Sequence, residues 1–385
     1  MYNLLLKLIK IIFNNKHYFQ MNKEIQMKYI SKISKKLTSE DLVIRSFLQY
    51  KCQIYKNSKM KIFILNIVCI LAIVPIIVVF FIRYKYDKNK LNIFEKKDKN
   101  IAINFGYYEK IPALLVRKYN INEMYKKYIL TYEDIKFIFK RIILKYPFNG
   151  YFIMKNIMKI ALYSYNIMLQ NPKAIFVNSE YSFTSSILTL YCNLKSIKHI
   201  NYMHGEKLLI IRDAFVKFDE FYIWDEYYKN IFKKLKADEN QFIVSLPRNL
   251  EKCKNDKWLE TKILTYYLQG NETYHQLELI KNKLQQIKDK KYLDIRVRPH
   301  PRYGDRKKIN KVFKDFRIES DKNITESLKE AEFIVSKYST VLFEGYLMNK
   351  KIVIDDISDR KLYFKLKDLD YIILQKNHMK LSEVI

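Results

Sequence analysis

The chain has 385 residues, with 71 Lys and Arg against 40 Asp and Glu, a formal net charge of +31 at pH 7. That length accommodates two domains with separate cores plus an appendage, and a balance this basic points to an anionic partner: nucleic acid, an acidic membrane surface or a phosphorylated substrate. Cys52, Cys69, Cys192 and Cys253 are scattered, with no CxxC pair and no histidine at ligand spacing, which argues against a disulfide framework, a zinc site and any other metal centre. A secretory signal with a cleavage site is not expected either.

Residues 1–60 form a basic amphipathic region. Met1 to Phe13, MYNLLLKLIKIIF, mixes Lys7 and Lys10 into an apolar run and suits a membrane interface. The stretch from there to Lys59 has helical patterning and fits either that setting or an ordinary helical hairpin. Residues 61–83 contain the most apolar segment, Ile62 to Ile82, in which Asn66 is the one strongly polar side chain. About 20 apolar residues cover a bilayer core, so membrane insertion is expected, kinked at Pro75. Lys56, Lys59 and Lys61 stand before it and Arg83, Lys85, Lys88 and Lys90 after it, so the positive-inside rule draws both flanks to the cytoplasm. A crossing helix and one that only dips into the membrane both remain open.

From Asn100 the texture becomes α/β. Strands are predicted at Ile101 to Asn104, Ala174 to Val177, His199 to Met203, Phe218 to Trp224 and Gln241 to Ser245. Helices are predicted at 111–119, 132–146, 151–169, 182–194 and 226–236. Pro247 to Lys257 is polar and reads as an interdomain connection. The alternation then restarts: strand 262–268, helix 274–288, strand 292–297, strand 316–319, helix 324–330, strand 333–335, helix 341–348 and strand 352–354. Strands alternating with helices imply βαβ units and a mostly parallel sheet. The reading is therefore two Rossmann-like domains, residues 100–246 and 258–385, with a cleft between them, preceded by a helical membrane-associated region.

Ligands of open α/β sheets bind beyond the carboxyl ends of the strands, and three loops occupy that position. In Arg296-Val297-Arg298-Pro299-His300-Pro301-Arg302, two prolines stiffen the backbone around His300, and Arg298 and Arg302 flank it with permanent charge. Ser336-Lys337-Tyr338-Ser339-Thr340 lies between a strand and a helix. Ser339 or Thr340 would cap that helix, whose free N–H groups favour an anion, and Glu344 one turn on faces a ribose. Met203-His204-Gly205-Glu206-Lys207 follows a strand, with Gly205 permitting a tight turn. His204 is a natural general base, and Glu206 and Glu180 would orient it or replace it.

The second half, residues 262–356, with RPHPR and SKYSTVLFEGYLMNKKIVI, resembles the nucleotide-binding half of GT-B glycosyltransferases that build bacterial surface polysaccharides, in particular the His-Pro and Ser/Thr motifs of bacterial sialyltransferases and polysialyltransferases. The first half, with INYMHGEKL and FDEFYIWDEYYKNIFKKL, is similar to the His-Gly region of CDP-glycerol glycerophosphotransferases. The resemblance covers residues 100–360. It implies a GT-B, metal-independent transferase without a cofactor, in which His300, Ser339 and Thr340 bind the donor phosphate, and His204 matches the base proposed for the glycerophosphotransferases. The paired-acid-glycine motif that carries the base in bacterial sialyltransferases is not evident, the nearest glycine here following a histidine.

The function expected is transfer of a sugar, sialic acid among the candidates, from a CMP- or CDP-linked donor to a bacterial surface polysaccharide or lipooligosaccharide. His204, Glu206 and Glu180 are the candidate bases. His300, Arg298, Arg302, Ser336, Ser339, Thr340 and Glu344 are the candidate donor-binding residues. The expected partners are a nucleotide sugar, a glycan or glycolipid acceptor and anionic inner-membrane lipid, with the catalytic domains on the cytoplasmic side. The alternatives are a CDP-glycerol-type glycerophosphotransferase, a basic nucleic-acid-binding protein and a non-catalytic membrane assembly protein. Nucleic acid is disfavoured, because the basic residues are spread along the chain without a recognisable binding module.

Overall fold

A computed structural model describes residues 19–35, 37, 41–91, 100–254 and 261–384. The interfacial segment expected at Met1 to Phe13 lies outside them. The chain forms two compact units: Met1–His204 with Leu209–Pro247, and Gly205–Leu208 with Arg248–Ile385.

Among the described residues the first unit opens with three helices, α1 (Lys23–Ser34), α2 (Leu42–Ile54) and α3 (Lys59–Leu91). Its six-stranded sheet has the order β2-β1-β3-β4-β5-β6, every pair parallel. The strands are β1 (Ile101–Asn104), β2 (Asn120–Glu123), β3 (Ala174–Val177), β4 (Lys198–Tyr202), β5 (Glu220–Ile223) and β6 (Phe242–Val244). The helices among them are α4 (Ala113–Lys118), α5 (Tyr132–Ile138), α6 (Gly150–Gln170), α7 (Ser185–Asn193) and α8 (Glu226–Lys234). All four residues of β3 are buried, as an apolar run covered on both faces requires. A Thr131–Asp134 capping box starts α5, which passes into a π-helical turn at Phe139–Ile143. The edge strand β2 was not anticipated. Its sequence Asn-Ile-Asn-Glu is mostly exposed and carries no apolar alternation to betray it.

Among the described residues, 23–54 form a helical hairpin. Asp41 caps α2 through the amides of Val43 and Ile44, and the helix buries Val43, Leu48, Tyr50 and Cys52. Its polar side chains are committed as well. Gln49 donates to the carbonyls of Glu180 and Arg212 at 2.9 and 3.0 Å, and Ser46 donates to the carbonyl of Phe183. An amphipathic helix spent in this way has no apolar face left for a bilayer.

Helix α3 runs beside α6 in the same direction. Asn66 accepts from the amide of Tyr151 at 3.0 Å, at the start of α6. Further along, Tyr84 packs with Tyr165, Met168 and Leu169 near its end. The two helices touch at Gly150, where a Cβ would stand 2.2 Å from the carbonyl oxygen of Asn66.

The second unit begins with α9 (Arg248–Lys254), a helix where an irregular connection was expected. The unit then alternates β7 (Ile263–Tyr267), α10 (Tyr274–Lys290), β8 (Asp294–Arg298), α11 (Arg306–Val312), β9 (Arg317–Ile318), α12 (Ile324–Glu330), β10 (Phe333–Ser336), α13 (Thr340–Leu347), β11 (Lys351–Ile354), α14 (Arg360–Asp368) and β12 (Met379–Lys380). Its sheet is again wholly parallel, in the order β12-β11-β10-β7-β8-β9. The chain order therefore reverses between β7 and β10, the place where doubly wound sheets open a crevice for a ligand. In the first unit the reversal falls between β1 and β3.

Gly150→Ala should destabilise the first unit by about 1–3 kcal/mol, because backbone, not a flexible side-chain tip, occupies the new methyl's space. Denaturant unfolding monitored by tryptophan fluorescence measures it; wild-type stability in the variant would mean that α3 is not held against α6.

Candidate functional site

In the first unit the loop after β3 carries Glu180 and the loop after β4 carries His204, adjacent strands at the carboxyl edge beside the reversal point. His204 Nδ1 lies 3.4 Å from Glu180 Oε1; the imidazole side chain is 30 % exposed and the carboxylate fully buried. Catalytic pairs often stand this far apart until substrate draws them together. The other carboxylate oxygen accepts from Asn201 Nδ2 at 3.2 Å, and Asn201 Oδ1 accepts from the amide of Ser179 at 2.8 Å. Glu180 is thus fixed from β4, and the rings of Tyr107 and Tyr181 flank the imidazole. A carboxylate on Nδ1 leaves Nε2 to take a proton from an incoming hydroxyl.

The neighbouring loop differs from expectation in two ways. Gly205 has open space around its Cα and no left-handed φ, so its backbone suits any residue and does not require glycine. Glu206 does not partner His204. The chain enters the second unit at Gly205 and leaves it at Leu208, and there Glu206 accepts from Tyr371 Oη at 3.2 Å. Burial pushes its carboxyl well above the ordinary range; the Tyr371 bond lowers it and the Glu344 carboxylate raises it further. Of the three candidate bases the structure pairs two, Glu180 and His204, while Glu206 joins Glu344.

In the second unit the loops after β7, β8 and β10 leave one edge of the sheet from adjoining strands. His300 Nδ1 accepts from the amides of Arg302 and Tyr303 at 3.1 and 3.2 Å, and the ring stacks on Tyr303. A neutral imidazole that accepts at Nδ1 carries its proton on Nε2, where it can donate. Burial, and then the Arg302 charge, lower its pKa, which favours that neutral donor. Ser339 is the N-cap of α13, its Oγ accepting from the amide of Val341 at 3.4 Å, and Thr340 is the first helical residue.

Two predicted ligands are spoken for. Arg298 reaches Glu319 at 3.1 Å and the carbonyl of Lys322 at 2.7 Å, beside a more deeply buried Arg296 paired with Asp294, Glu319 and Glu330. Ser336 ends β10 fully buried, donating to the carbonyl of Tyr267 at 2.8 Å. Arg302 remains exposed.

The loop after β7 was not anticipated. Gly270 has φ +86°, and a Cβ there would stand 2.5 Å from the carbonyl carbon of Tyr303, so only glycine lets this loop touch the Pro-His-Pro loop. Glu272 accepts from the amides of Gln269 and Gly270, both at 2.8 Å. It also meets Lys337 at 3.3 Å, the two side chains only 3 % and 4 % exposed. The signal was present as a glycine shortly after a strand and ahead of a capped helix, the Thr273–Gln276 capping box. Among the described residues no three His, Cys, Asp or Glu are grouped so as to hold a metal ion.

No family model matches the chain, and no curated protein matches it. Among solved structures its backbone is similar to a UDP-GlcNAc 2-epimerase from Neisseria meningitidis bound to UDP-GlcNAc, at 10% identity and TM-score 0.42 over 69% of this chain and 85% of that one. It is also similar to a glycosyltransferase from Rickettsia africae, at 14% identity and TM-score 0.36 over 72% and 91%. A third is the wall teichoic acid polymerase TagF, at 13% identity and TM-score 0.34 over 80% and 89%.

Arg298→Ala should act on stability before it acts on ligand, costing about 1–3 kcal/mol as it takes one of two arginines from the buried Glu319 carboxylate; chemical denaturation reads this. Glu206→Gln tests the buried carboxyl. An acid whose folded pKa is raised contributes stability that is complete below the ordinary glutamate value of 4.5 and lost as pH rises through the folded value. The variant should therefore gain melting temperature over wild type at pH 8 and not at pH 4.

Proposed function

We propose that the chain is a metal-independent GT-B glycosyltransferase that moves a sugar from a CMP- or CDP-linked donor to a growing bacterial surface polysaccharide or lipooligosaccharide. It works at the inner membrane with its catalytic units on the cytoplasmic side. The observation that carries this reading is the tying of three loops at the reversal point of the second sheet, through Gly270 on Tyr303 and Glu272 on Lys337. That leaves the His300 Nε2–H and the amino end of α13 as donors on one edge.

In the reaction His204 Nε2, oriented by Glu180, takes the proton of the acceptor hydroxyl. The freed oxygen attacks the anomeric carbon, the bond to the nucleotide phosphate breaks, and the departing oxygen's charge is met by His300, Ser339, Thr340, Arg302 and the helix amides. Fixed donors of this kind act on charge as it develops. Glu344 and Glu206, whose carboxyl burial pushes up, are assigned to the nucleoside side, where they meet hydroxyl groups. The likeness of INYMHGEKL to the glycerophosphotransferases supports a second reading, in which the same hydroxyl attacks the phosphorus of a CDP-glycerol donor. Nucleic acid has no part in either.

His300→Asn separates folding from chemistry. Its side-chain oxygen can still accept from the Arg302 and Tyr303 amides, but the Nε2 donor is gone. Turnover of a CMP- or CDP-linked donor should fall by about 10²–10³ while the melting temperature stays near wild type. Near-wild-type turnover would sink the phosphate-clamp reading. A thermal-shift screen across CMP, CDP, UDP and GDP should show stabilisation by a cytidine nucleotide, and a shift by UDP alone would reassign the donor.

A further inference from the structure

Helix α3 has two unlike long faces. Ile62, Leu65, Cys69, Ile73 and Phe80 are buried on one stripe. On the other side Phe63, Ile67, Leu71, Val74, Val78 and Ile82 are exposed, Leu71 to 73 %. Length and hydropathy alone make it a candidate to cross a membrane, and only 22% of its most apolar window is buried. We propose instead that α3 lies in the plane of an anionic bilayer, its outer face sunk at the headgroup–acyl boundary, and does not cross.

The first ground is what holds the inner stripe. A crossing helix needs lipid, or other crossing segments, on every side through the hydrocarbon. From Asn66 to Tyr84, about 27 Å of helix, α3 is instead laid along α6. It is pinned at one end by Asn66 to the Tyr151 amide and further on by the Leu130 amide, which donates to the carbonyl of Phe80 at 3.2 Å. Helix α6 cannot follow it into lipid. It carries Lys155 and Lys159, and most of its other residues are buried within the first unit. Charged groups and the irregular loop at 125–130 do not enter hydrocarbon beside lipid.

The second ground is charge. Lys56, Lys59 and Lys61 are exposed at one end of the apolar face and Arg83, Lys85 and Lys88 at the other, and no Asp or Glu occurs from Leu42 to Tyr86. A second copy docked on this face, parallel or antiparallel, would set cations against cations at both ends. Anionic headgroups are complementary at both ends at once, and an in-plane helix keeps both basic flanks on one side of the membrane, as the positive-inside rule demands.

The test uses the full-length protein with a single spin label at Phe63→Cys, Leu71→Cys or Val78→Cys, wild type giving the background from native cysteines, and phosphatidylglycerol or phosphatidylcholine vesicles. Binding should favour phosphatidylglycerol and weaken with salt, with all three labels at one shallow depth of roughly 5–10 Å. A crossing helix would spread Phe63 and Val78 over about 22 Å of depth and overturn the proposal. So would labels that leave vesicles untouched and become shielded only as the protein self-associates, which would assign the face to a second copy. Neither outcome involves turnover, so a failure here leaves the transfer reaction where it stood.

Discussion

The buried pair of Glu272 and Lys337 is the constraint on which the second unit's functional edge depends. Both charges are almost wholly out of water, a placement that rarely adds net stability and becomes costly when either partner is lost. What it supplies is position. Glu272 gathers the amides of Gln269 and Gly270 and holds the lysine that precedes Tyr338 and Ser339, so the loops after β7 and β10 cannot shift independently. Gly270 then presses on Tyr303, and the Tyr303 amide helps to fix His300. A chain of contacts from one ion pair thus sets the direction of an imidazole N–H in the loop after β8.

The arginines of the same region show that charge count is a poor guide to a site. Arg296 and Arg298 stand two apart on a strand, so their side chains leave the same face; each finds Glu319, whose carboxylate also accepts from Ser327. They are the frame beneath the Pro-His-Pro loop. In the proposed reaction, His300 and the capped helix α13 are what remain to meet an anion. Dipoles held rigidly serve a developing charge better than a flexible surface cation, because they pay no reorganisation when the charge appears.

Periodicity made the sheets legible. The strand at Ala174 to Val177 and the helix at Ile324 to Glu330 end where the sequence places them, since apolar runs bounded by turn or capping residues leave few alternatives. The elements that escaped are those whose reason lies elsewhere in the chain. The polar β2 is a strand only because β1 offers it an edge, and β12 is two residues paired with β11. Within the candidate site, Ser339 was readable as a cap because capping is local. Ser336 was misread because its partner, the carbonyl of Tyr267, is 69 positions away, and a similar separation hid Lys337 and Glu272 from each other.

Helix α3 carries that lesson to the membrane. Hydropathy averages around the helix axis, and a high mean records only that both sides are apolar. Whether such a helix crosses or lies flat is decided by what covers each side. Asn66 is the residue that separates the two cases: in a lone crossing helix its amide would be an unsatisfied polar group in hydrocarbon, costing several kcal/mol. Here it caps α6, satisfying the Tyr151 amide at the point where Gly150 lets the two backbones meet. The polar exception in the apolar run is therefore the anchor of the inner face, and it leaves the outer face as a long apolar surface of α3 exposed among the described residues.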